Sequence, residues 1–160
     1  MSSETQALVS AQLGKPSRGD GEVVSRCGLG LPVVIEVHPE LEGDPFPTLY
    51  WLTCPLARIR VSRIEQRGGV REFTARLDSD PTFATAFAEA QTSYAAARAA
   101  RLPSGSPVLD RLRGGVGGAE GGVKCLHAHY AHRRAGGENP VGAAIEGEVD
   151  VEFVGSLEQG

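Results

Sequence analysis

The groups in this chain best suited to chemistry are its thiols and imidazoles, and they are unevenly placed. Three of the four histidines and one of the three cysteines fall within nine residues, KCLHAHYAH, from Lys124 to His132. Thiolate sulfur and imidazole nitrogen together form the donor set that selects zinc over magnesium or calcium. The other two cysteines close apolar segments, Cys27 after EVVSR and Cys54 after YWLT. A helix through KCLHAHYAH puts Cys125, His129 and His132 on one face, and a strand does the same for Cys125, His127 and His129. Lys124, Leu126, Ala128 and Ala131 suit a helix, and Gly136 can cap it. The expected ligand set is therefore Cys27, Cys54, Cys125 and His129, with His127 and His132 as alternates. No C-x-x-C pair supports it.

Two other readings stay open. Cys125 or Cys54 can act as a nucleophile, with a histidine such as His127 taking the thiol proton, because each cysteine stands at an expected helix start. No carboxylate that would orient the histidine can be named from the sequence. The G-x-S-x-G, H-E-x-x-H and Walker patterns are absent. Alternatively the cysteines are buried as small hydrophobes and the segment holds no ligand. A different class of function rests on Arg58, Arg60, Arg63 and Arg67, a basic helical face for an acidic protein or a phosphate-bearing ligand, against which stands an ordinary solvated surface.

These side chains need a scaffold. Valine- and isoleucine-rich segments at 22–27 and 32–37 pair as a hairpin, and Thr48–Thr53 reads as a third, interior strand. In an antiparallel meander the first and third strands run the same way. Cys27 and Cys54 then reach one edge of the sheet, about 10 Å apart across the strand between them. Ser3-Glu4-Thr5-Gln6 has capping-box spacing for a helix to about Leu13. Pro55 opens a helix that ends at Gly68-Gly69, and Ser79-Asp80-Pro81 starts another with Phe83, Phe87, Ala90, Tyr94 and Ala97 on its core face. The glycine-rich stretch 114–122 fails both phosphate-loop spacings and reads as a flexible loop. Gly136-Gly137 and Asn139-Pro140 read as stop and turn signals, and Glu148–Phe153 alternates like an edge strand.

The expected fold class is α+β: a small antiparallel sheet of three or four strands packed with about four helices. Residues 1–21 form a helix and linker, 22–142 a single domain, and 143–160 an acidic tail. A formal net charge of −4 gives no long-range attraction to nucleic acid or anionic lipid. The N-terminus lacks the basic and apolar regions of a secretory signal, and no apolar run approaches the ~18 residues that span a bilayer. A cytoplasmic location is the resulting expectation, and three cysteines there read as free thiols or ligands.

Four ordered blocks, RCGLGLPVVIE, DPFPTLYWLTCP, GVKCLHAHYAH and ENPVG, give the chain a resemblance to the bacterial family called domain of unknown function 501. The resemblance covers roughly residues 22–142. It implies no particular activity. Its blocks carry Cys27, Cys54, Cys125, His127 and His129, and its last block holds Asn139 and Pro140. Family members are often encoded beside a septum-formation protein and a polyphosphate-hydrolysing enzyme, which implies a link to cell division or phosphate metabolism.

Overall fold

A computed structural model describes residues 1–150. Strands β1 (Glu22–Arg26), β2 (Pro32–Glu36) and β5 (Tyr50–Leu52) form an antiparallel sheet in the order β1-β2-β5. This is the meander expected from the sequence, except that the third strand, β5, lies at the edge of the sheet and not in its interior. A two-residue hairpin, β3 (Glu40–Leu41) and β4 (Asp44–Pro45), interrupts the β2–β5 connection. Strand β2 is central and almost wholly buried, which explains its unbroken apolar sequence. Val33 and Val34 enter the main core, while Ile35 and Val37 pack with Val9 of the first helix, α1 (Ser3–Leu13).

Five more α-helices follow, among the described residues: α2 (Pro55–Gln66), α3 (Gly69–Ser79), α4 (Pro81–Ala99), α5 (Leu126–Arg134) and α6 (Pro140–Val149). The fold is α+β, with six helices where the sequence suggested about four. Gly68-Gly69 is a joint between helices, because Gly68 adopts φ 95° and the chain turns directly into α3. Asn139-Pro140 is a start signal, because Asn139 caps α6 and Pro140 occupies its first turn. Residues 143–149, set apart above as the beginning of a tail, are therefore helical. Of the expected edge strand, Glu148 and Val149 end α6, and 151–153 lie outside the described residues.

Helix α4 buries Phe83, Phe87, Ala90 and Tyr94 along one stripe, and Asp80 caps it by accepting the Phe83 N–H at 3.1 Å. The glycine-rich stretch is not loosely attached. Arg98, 3% exposed, sends its guanidinium to the carbonyls of Gly114 (2.6 Å), Gly115 (3.2 Å) and Pro47 (2.9 Å). Gln91 Oε1 accepts the Val116 N–H at 2.7 Å. Helix α5 lies at the centre, packed on β5, α2 and α6. It carries the histidines.

Candidate metal centre

Cys125 is the N-cap of α5, extended at φ −143° and ψ 115°, so the helix begins only at the residue after it. The sequence reading placed Cys125 inside the first turn. The one-residue difference matters, since an extended cap brings the thiol towards His127 instead of His129. From α2, Glu65 completes the group. One donor atom from each of Glu65, Cys125 and His127 lies within 4.8 Å of the other two. Among the described residues this is the only group of three or more such ligands.

The hydrogen bonds around His127 define its state. Its Nδ1 lies 2.9 Å from Glu65 Oε1, and its Nε2 lies 3.3 Å from both the Arg58 carbonyl and Ser62 Oγ. A carbonyl can only accept, which favours the proton on Nε2. The Nδ1 lone pair then faces a carboxylate, and two such donors at 2.9 Å need a positive centre between them, a proton or a metal. Glu65 is itself held, because Oε2 accepts the Leu126 N–H at 3.1 Å. Burial pushes the Cys125 thiol up, but the His127 side chain and the Ala128 backbone N–H outweigh it and hold the thiol below its ordinary value. The neighbouring Cys125 sulfur in turn raises His127, with Glu65 acting in the same direction.

The remaining expected ligands lie elsewhere. Cys54 is buried in the main core as the N-cap of α2. Cys27 is half-buried against that core, and its N–H closes the β1–β2 turn on Leu31. Neither joins Cys125. His129 follows His127 by two residues, which is about 200° around a helix, and so points away from Glu65. With His132 it forms a separate buried network. Asn139 Nδ2 stands 2.9 Å from His129 Nδ1 and 3.2 Å from His132 Nδ1. His132 stacks on Tyr50 and meets the edge of Tyr94. Burial holds both imidazoles down to about 4.

Glu65 escaped the sequence reading. One signal does mark it: in PLARIRVSRIEQ it is the sole carboxylate among three arginines. Cys125 and His127 open onto a cleft of about 370 Å³ walled by Tyr50, Thr48, Arg58 and Gly117. The centre is therefore reachable from solvent.

The comparisons agree with the four sequence blocks. The chain belongs to the family described as protein of unknown function (DUF501), whose model matches residues 23–146. No curated protein and no solved structure matches it. No helix among the described residues is long and apolar enough to cross a membrane.

Proposed function

We propose that this family member is a zinc-binding domain in which Glu65, Cys125 and His127 hold the metal and a fourth position opens to the adjoining cleft. The observation that carries the reading is the pairing of His127. Its Nε2 lies at the Arg58 carbonyl while its Nδ1 faces the Glu65 carboxylate beside the Cys125 thiol. Metal-binding histidines nearly always donate their second N–H to a carbonyl or carboxylate, which fixes the tautomer. The Leu126 N–H on Glu65 Oε2 orients the carboxylate in the same way. Three protein ligands with an open position are the pattern of a catalytic zinc, which supplies Lewis-acid and water-activating chemistry for hydrolysis.

A thiol nucleophile is the second reading, favoured by the lowered Cys125 thiol at a helix N-terminus. Against it, the Cys125 thiol shares the His127 ring with partners on α2, Glu65 at Nδ1 and the Arg58 carbonyl and Ser62 at Nε2. These compete with the thiol for the proton-accepting nitrogen.

Elemental mass spectrometry of the untagged protein separates these readings. About one zinc per chain is expected, as three protein ligands imply. Cys125→Ser, His127→Ala and Glu65→Gln should each weaken zinc binding by more than the ~10–100-fold that outer partners alone cost. Cys27→Ser and Cys54→Ser should retain the metal. Zinc lost from those two but kept by Glu65→Gln would restore the Cys27, Cys54, Cys125 and His129 set. Metal-free protein whose Cys125 alkylates rapidly at neutral pH would establish the thiol reading instead.

A further inference from the structure

Helix α2 and its C-cap carry four arginines, two of which are engaged within the fold. Arg60 donates to the carbonyls of Val149 and Asp150, at 3.4 and 2.9 Å. Arg67 forms a two-pronged ion pair with Glu148. Arg58 and Arg63 make no side-chain hydrogen bond or ion pair among the described residues. Both line a second cleft of about 460 Å³, together with Ser62, Gln66, Ile59 and His127, and among the described residues no carboxylate lines it. Arg58 and His127 also line the first cleft. The Glu65–Cys125–His127 centre thus stands where the two clefts meet.

Charge identifies the class of ligand. A divalent metal held by the Glu65 carboxylate and the Cys125 thiolate makes a neutral centre. The guanidinium charges of Arg58 and Arg63 then stand uncompensated at the cleft wall, in a chain whose formal net charge is −4. Guanidinium groups recognise carboxylate and phosphate oxygens through paired N–H donors. Ser62 and Gln66 add neutral donors on the same wall. We infer that this second cleft is an anion subsite: Arg58 and Arg63 hold a phosphate or carboxylate group of the substrate while its reacting group lies at the metal centre. The inference rests on the zinc reading for the position of the reacting group, but not for the anion site itself.

Titration of the zinc-loaded protein with inorganic phosphate, and separately with acetate, followed by calorimetry and by amide NMR shifts, tests it. Saturable binding is expected, with shifts at residues 58–66. The Arg58→Gln/Arg63→Gln double variant should bind at least about tenfold more weakly, with zinc content and thermal unfolding unchanged. Preference for phosphate or for acetate names the substrate group. Wild-type protein that lacks metal yet binds phosphate through these two arginines would uphold the subsite and sink only the zinc reading. Absence of saturable binding by either anion, or equal affinity in the double variant, would overturn the inference.

Discussion

Asn139 does the most structural work of any single residue near the histidines. Its Oδ1 accepts the Gly142 N–H at 3.0 Å and so caps α6, while its Nδ2 faces the Nδ1 atoms of both His129 and His132. One side chain therefore starts a helix and fixes the tautomers of two buried rings, each with its proton on Nε2. Asn139→Ala removes a cap worth ~1 kcal/mol and strands two buried acceptors at ~1–3 kcal/mol each. A loss of about 3 kcal/mol or more is expected in urea unfolding. Asn139→Ser keeps a cap without the bridge, and should recover only about 1 kcal/mol of that loss. Equal stability of the two variants would show that the cap contributes nothing, and a serine variant as stable as the wild type would show that the bridge contributes nothing. At this scale the sequence marked the right segment but mixed two sites. KCLHAHYAH supplies Cys125 and His127 to one centre and His129 and His132 to another, and their separation depends on helical phase. Glu65 is 60 residues from Cys125, and only the packing of α2 on α5 brings them together.

Among the elements, the glycine-rich stretch shows how a segment with few side chains is held by its neighbours. Among the described residues Arg98 has no carboxylate partner; its charge is distributed over the carbonyls of Pro47, Arg113, Gly114 and Gly115. Gly114 adopts φ 72°, and a Cβ there would overlap the backbone of Gly118 and Ala119. The turn it permits places Gly117 on the wall of the cleft beside Cys125 and His127. Arg98→Met should free these carbonyls and speed hydrogen exchange of the Gly115, Val116 and Ala119 amides by about 10–100-fold, the equivalent of ~1–3 kcal/mol of local stability. Unchanged exchange at those amides would mean that Gln91 alone holds the stretch. Here too the limits of sequence reading are physical. The strands were legible as short runs of β-branched and apolar residues, and α4 because its apolar positions repeat at the helical period. Helices α3 and α6 were not, since Gly68-Gly69 and Asn139-Pro140 carry the same local signals for a stop as for a start. The order in 114–118 comes from Arg98 and Gln91, which lie on another element.

For the whole molecule, the two buried histidines link folding to pH. His129 and His132 are 1% and 4% exposed, and burial lowers both to about 4 in the folded chain. Unfolded, each would titrate near 6.5. As the pH falls below 6.5 the unfolded chain takes up two protons that the folded chain refuses, so stability must decrease. It is fully present above that value and falls by up to about 1.4 kcal/mol per pH unit for each ring, levelling off below about 4. By pH 4 the combined loss is on the order of 6 kcal/mol, a large share of what a domain of this size holds in reserve. His127 works in the opposite sense. Its raised value adds stability as the pH drops towards 6.5 and nothing more below. The lowered Cys125 thiol opposes it, losing stability as the pH falls. The urea midpoint, measured in chelator so that competition between protons and metal adds nothing, should therefore change little down to pH 6.5. It should then fall steeply to pH 4. Imidazole NMR signals that remain in the neutral form at pH 5.5 would assign the effect to these two rings. A flat midpoint between pH 6.5 and 4.5 would mean that His129 and His132 accept protons in place, and that the core around α5 opens to admit them.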